Sequence, residues 1–215
     1  VARGWARARV FALGHSTLSA EEVVARLRAH GVRTLVDVRT VPRSRTNPQF
    51  DVERFARTLA EAGLGHAHVA ELGGLRKPRK DTPNAGWRNT SFRGYADHMA
   101  SEDFERGLER LRALALEGPV AVMCSEALRW RCHRSLLADA LFARGVVVQH
   151  LVSAARAQPH VPTPFARFRG LSITYPPALA ERVAREREAQ GPPARRAPRP
   201  RVKRAIVQRV RPPGG

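Results

Sequence analysis

"VAVMCSEALRWRCHRSLLADAL", Val120 to Leu141, decides how the rest of the chain is read. "VAVM" is a short apolar run and "HRSLLADAL" carries apolar residues at helical spacing, so the segment reads as strand, loop and helix. Gly145 stops the helix and "VVVQHLV" follows as another apolar run. A strand, a helix and a second strand in that order imply parallel pairing through a crossover. The loop between strand and helix holds both cysteines of the chain, a histidine and three arginines. Those residues fit a catalytic loop, a metal site, a redox pair or the packed junction of two elements.

The same alternation runs upstream. "ARVFALGHS" reads as a strand ending at Gly14, and "SAEEVVARLRAHG" as a helix with Ser19 and Glu22 at capping-box spacing and Gly31 as its stop. "RTLVDVR" is a second strand, "DVERFARTLAEAG" a second helix, and "GHAHVAELGG" a third strand running into a Gly-Gly turn. An irregular stretch from Gly73 to Gly94 follows, then a helix from Ser101 with Phe104, Leu108, Leu111 and Leu114 as its buried stripe. The expected fold is α/β: a mostly parallel open sheet of about five strands with helical crossovers, over residues 1–154. Residues 155–188 read as a linker with a charged helix, "PALAERVAREREAQ", and 189–215 as a basic Pro/Arg-rich tail, disordered without a partner.

At 215 residues the chain can form one domain with a sizeable core and an appendage. No apolar run approaches the roughly 20 residues that cross a bilayer, and the first 16 residues lack the features of a signal peptide. The expectation is a cytoplasmic protein, nucleoid-associated if its partner is DNA, with no membrane role. Two cysteines are too few for a disulfide scaffold, so reduced thiols are the default. Lys and Arg number 38 against 19 Asp and Glu, a net charge of +19, which predicts salt-dependent attraction to polyanions, nucleic acid first among them. Only eight of those cations lie in the tail, so the body is basic as well.

The unusual polar residues fall at strand ends: His15 and Ser16 after the first, Asp37 and Arg39 at the second, Glu71, Gly73 and Gly74 at the third, Cys124 and Glu126 at the fourth, His150 late in the fifth. In an open parallel sheet ligands bind beyond the carboxyl ends of the strands, where loops and helix N-termini converge. Asp37, Glu126, His133 and His15 offer acid–base groups there. Arg39 and Arg134 can hold phosphate bidentately, and Ser16 and Ser135 border the same edge. Unpaired N–H groups around Cys132 to Ser135, at the start of the helix, would add an anion site. Arg129, Arg131 and Arg134 make Cys124 a candidate nucleophile by favouring its thiolate, with Cys132 a resolving partner or a core residue. Cys124, Cys132 and His133 supply three zinc ligands at most, in no finger or ribbon pattern, so neither metal nor cofactor is expected. In the 73–94 stretch, Arg76, Lys77, Arg79, Lys80, Arg88 and Arg93 are interleaved with Trp87 and Phe92, a mixture that grips phosphates and stacks bases.

"GHST", "LVDVRTVPRSRTNPQF", "ELGGLRKPR", "GWRNTSFRGYA" and the opening segment, in this order, resemble the bacterial and archaeal family called domain of unknown function 488. The resemblance covers about Val10 to Ser153. The family's recurring positions fall on Gly14, His15, Ser16, Asp37, Arg39, Pro42, Ser44, Asn47, Gly73, Gly74, Gly94, Tyr95, Cys124, Glu126, Cys132, His133, Arg134 and His150. It implies an α/β domain of undetermined activity, and adds Ser44 to the anion-binding candidates and Tyr95 to the nucleic-acid candidates.

Three functions follow as expectations. The first is a nucleic-acid enzyme that processes or modifies a base or a phosphate-bearing end, in repair or modification. The second is a rhodanese-like sulfurtransferase or a phosphatase, with Cys124 attacking a small anionic substrate; its order of strand, Cys, loop, Arg-Ser and helix fits, but ten residues separate Cys124 from Arg134 where such enzymes use a tight C-x5-R cradle. The third is a module that recognises a nucleotide or nucleic-acid end without catalysis.

Overall fold

A computed structural model describes residues 2–128 and 132–189. Six strands form one sheet: β1 (Val10–Gly14), β2 (Thr34–Asp37), β3 (Gly65–His68), β4 (Val120–Cys124), β5 (Val148–Ser153) and β6 (Arg156–Pro159), in the order β3-β2-β4-β1-β5-β6. The first five are parallel, with Gly14 opposite Cys124 and Asp37 opposite Met123, and β6 returns antiparallel on β5. The expected α/β fold with a mostly parallel sheet is the observed one.

The crossovers are α1 (Ala20–Ala29), α2 (Val52–Glu61), α3 (Thr90–His98), α4 (Glu102–Glu117) and α5 (Arg134–Ala143). Ser19 and Glu22 close the capping box that opens α1, through Glu22 N–H to Ser19 Oγ at 3.2 Å and Ser19 N–H to Glu22 Oε2 at 2.8 Å. Alternation along the strands splits the core into two layers. Phe11, Leu13, Leu35, Ala121 and Met123 pack against Val23, Leu27, Phe55 and Leu59 of α1 and α2. Val10, Ala12, Val36, Val122 and Cys124 pack on the other face against Tyr95, Phe104, Leu108, Leu136 and Leu137 from α3 to α5. No helix among the described residues is long and apolar enough to cross a membrane.

Two expectations change here. The irregular stretch ends earlier, because Asn89 caps α3 by accepting from Ser91 N–H at 2.8 Å and Phe92 N–H at 3.3 Å. Residues 155–188 are more than a linker. They supply β6 and a hairpin of β7 (Arg167–Arg169) and β8 (Ser172–Thr174), followed by α6 (Pro177–Ala189), the expected charged helix. Ile173 and the fully buried Tyr175 join the α5-side core, so the body of the protein runs past residue 154. The tail from residue 190 and the candidates Arg129 and Arg131 lie outside the described residues.

Candidate active site

β4 ends at Cys124 and α5 begins at Arg134, so the loop between them returns the chain to the carboxyl edge of the sheet. The Arg134 side chain then runs back under that loop. Its Nε donates to Cys124 Sγ at 2.9 Å and to Cys132 Sγ at 3.3 Å, and its Nη2 donates to the Glu126 carbonyl. The residue is only 2% exposed. Burial pushes its guanidinium down to about 10, against the pull of Glu126, so it stays charged at neutral pH. A buried cation needs a counter-charge, and the side-chain acceptors bonded to it are the two sulfurs. Of the two sulfurs, Cys124 has the shorter bond to the guanidinium. The two sulfurs are in contact with each other across Cα atoms 7.8 Å apart, wider than the roughly 7 Å a disulfide spans without backbone movement, and Arg134 is shared between them.

His133 sits beside this pair. Its Nε2 donates to the Val38 carbonyl at 3.3 Å, which leaves Nδ1 as the acceptor, 3.8 Å from Cys132 Sγ. Burial, helped by Arg134, holds the imidazole down at about 4, so it is neutral at pH 7 and a poor base, a hydrogen-bond acceptor beside Cys132. Glycines make room for these groups. A methyl at Gly14 would run into the Glu126 carbonyl and stand 2.6 Å from Arg134 Nη2, and one at Gly74 would run into the His133 ring. Ser16, next to the ring of contacts, takes a left-handed backbone with φ +46° and donates its N–H to Ser125 O at 2.9 Å.

On the α1/α2 face a second cluster forms. Asp37 is fully buried and accepts from Arg39 N–H at 3.0 Å, from Nε at 2.9 Å and 3.0 Å, and from Nη2 at 2.6 Å. Arg39 Nη2 also donates to Phe50 O at 2.6 Å, while Nη1 has no partner among the described residues. His15 stacks on Phe50 at 4.0 Å between centroids and donates Nδ1–H to Ser16 O. Burial holds it down at about 4 despite the opposing Ser16 hydrogen bond. The edge is therefore two clusters separated by the sheet, a thiol–guanidinium pair on one face and an ion pair with a stacked histidine on the other.

A cavity of about 590 Å³ opens between them. Of the candidates, Arg39, Ser44, Trp87, Cys124, Glu126 and His133 line it, together with Thr40, Val41, Arg43, Gly74, Leu75, Asn89, Ser91, Phe92, Ser125 and Cys132, most of which sequence reading did not single out. Asp37, His15, Ser16, Arg134 and Ser135 do not line it. Asp37 is spent on Arg39 and His15 is stacked and 1% exposed, so neither stands in the cavity as an acid–base group. Ser135 is also internal: its N–H and Oγ both turn to Cys132 O, at 3.0 Å each, which removes the unpaired N–H expected there. Ser44 builds a turn, accepting from Asn47 N–H and donating its own N–H to Asp51.

The basic segment divides similarly. Arg76 donates to the carbonyls of Ala70, Glu71 and Gly73, and so fastens its own loop. Arg79 pairs with Asp81, and Arg93 donates to Arg88 O. Lys77, Lys80 and Arg88 are exposed. Tyr95 is a correction: it is fully buried in α3, its hydroxyl donating to Leu72 O at 3.1 Å, and it presents nothing to a nucleic acid. His150 is another, since it lies inside β5 and meets His160 Nδ1 at 3.1 Å, away from the cavity.

The ligating atoms of Cys124, Cys132 and His133 lie within 4.8 Å of one another. A cation among them would stand against the buried Arg134 guanidinium, and Arg134 already occupies the sulfur lone pairs, so the set suits thiol chemistry better than a metal.

A family model described as "Domain of unknown function DUF488" matches residues 19–141, more than half of the chain. Comparison with curated proteins and comparison with solved structures match nothing.

Proposed function

The chain belongs to the DUF488 family, and because that description carries no reaction we propose from the site itself that the protein is a cysteine-dependent group-transfer enzyme, with Cys124 as nucleophile and a small anionic group as substrate. The observation that carries this reading is the buried Arg134, whose Nε lies 2.9 Å from Cys124 Sγ at the floor of the cavity. Two transfers fit. In the phosphatase form the thiolate attacks phosphorus, an S–P bond forms, and the P–O bond breaks with its electron pair leaving on oxygen. Glu126 lines the cavity and, when protonated, can supply the proton that oxygen takes up; water then hydrolyses the phosphocysteine. In the sulfurtransferase form the thiolate attacks the outer sulfur of a thiosulfonate anion, an S–S bond forms on Cys124, and a sulfinate or sulfite anion leaves with the electron pair of the broken bond.

The test is Cys124→Ser. Activity toward the substrate is expected to vanish, and mass spectrometry of the native protein under turnover is expected to show one added phosphoryl group or one added sulfur on Cys124. A fully active Cys124→Ser protein would end this reading.

Nucleic acid as the carrier of the anion is favoured by charge. The net +19 is shared by the body, and Arg43 lines the cavity while exposed Lys77, Lys80 and Arg88 belong to the segment that borders it. Retention on single-stranded DNA is expected to fall steeply as salt rises from 50 to 200 mM, by a factor of about 300 if six phosphates are contacted. A flat salt response excludes this partner.

A further inference from the structure

The cavity lining carries two kinds of side chain. Arg39, Arg43, Ser44 and Cys124 are basic or polar. Val41, Leu75, Trp87 and Phe92 are apolar or aromatic. Val41 is 57% exposed and Leu75 is 72% exposed, and both line the same cavity.

Two polar atoms add to the pattern. Arg39 is 6% exposed; its Nε and Nη2 face Asp37, and Nη1, at the far edge of the planar guanidinium, has no partner among the described residues. Trp87 is held by Phe92 and Phe165, each 4.8 Å away between centroids, and by Tyr175, and its Nε1–H likewise has no partner. Buried donors without acceptors are costly unless a ligand supplies the acceptor. One donor is a cation, Arg39, and the other an indole N–H among the apolar lining residues.

From this we propose that the cavity receives a single nucleotide unit, with its phosphate toward Arg39, Arg43 and Cys124 and its base against Val41, Leu75 and the Trp87 N–H. A nucleobase has the required features together, flat apolar faces and acceptor atoms on its edge. A cavity of about 590 Å³ also suits a ligand of that size. The orientation rests on the reading of Cys124 as the reacting group; the recognition of the base does not.

The experiment is isothermal titration of the full-length Cys124→Ser protein with inorganic phosphate, a nucleoside, phenyl phosphate and a nucleoside 5′-monophosphate. The monophosphate is expected to bind at least about tenfold more tightly than each of the others, in line with base stacking worth ~1–3 kcal/mol. Replacing Val41 and Leu75 together by Ala is expected to erase that advantage and leave phosphate binding unchanged; both side chains are exposed, so the fold is not at risk. An oligonucleotide with a terminal phosphate separates the two sources: tighter binding than the mononucleotide assigns a strand end, and equal or weaker binding a free nucleotide. The proposal is overturned if phosphate or phenyl phosphate matches the monophosphate, or if the Val41/Leu75 double variant keeps the full preference. A protein that still forms a Cys124 adduct with a simple ester while showing no nucleotide preference would overturn this inference alone.

Discussion

Arg134 is the residue on which the proposed thiol chemistry turns. It is enclosed, it is charged, and its guanidinium is shared between two sulfurs and the Glu126 carbonyl. Arg134→Met keeps much of the volume and removes the charge. The pH profile of Cys124 alkylation by iodoacetamide is expected to move upward in this variant, because the thiolate loses the cation that favours it. Gly14 is the backbone counterpart. A methyl there meets Glu126 and Arg134 together, so Gly14→Ala is expected to lower kcat about 100-fold, the usual scale for a roughly 1 Å displacement of a reacting group. An unchanged kcat would show that the Arg134 path does not govern the reaction.

At the scale of elements, the C-terminal hairpin is tied to the sheet by a polar cluster that reaches the cavity through the contact of Tyr175 with Trp87. Asp139 on α5 is fully buried and accepts from His160 Nε2 at 2.8 Å, from Thr163 N–H at 3.0 Å and from the Tyr175 hydroxyl at 2.9 Å. His160 in turn meets His150 of β5. Desolvation and Asp139 together push the Tyr175 phenol well up, so it remains a donor throughout the useful pH range. Tyr175→Phe is expected to cost about 1–3 kcal/mol by chemical denaturation, the range for a buried hydrogen bond that reaches a carboxylate. The cluster is spread over four segments of chain between residues 139 and 175, which hid it in the sequence. What was legible at this scale was local: the capping box of α1, and the helical stripes of α2 and α4. The start of α3 was overlooked although Asn89 precedes Thr90 and Ser91 as an N-cap should.

For the molecule as a whole, buried histidines set the acid limit. His15 and His133 are held at about 4 by burial, and His66 and His98 are shifted in the same direction by the same cause. Each has a folded value below its unfolded one, so the unfolded chain takes up the proton first. For His15 and His133 the stability associated with neutral imidazole is full above pH 6.5 and declines as pH falls toward 4, each with a slope of up to about 1.4 kcal/mol per pH unit in that window. Urea midpoints measured at pH 7 and pH 5 are expected to fall, and His133→Gln to shrink the drop; equal midpoints would contradict the burial of these rings.

The sequence by itself determined the α/β alternation, the strand ends at which Cys124, Asp37 and Gly14 stand, the family, and the basic charge, because each is written in short-range periodicity or in composition. Only the tertiary structure decided which of those strand-end residues meet. Side chains alternate across a strand, so residues delivered to one edge are divided between its two faces: Asp37 closes on Arg39 beneath α2, while Cys124 turns to Arg134 beneath α5. The cavity wall of Val41, Leu75 and Trp87 was equally out of reach, since it is assembled from loops whose separation along the chain carries no pattern.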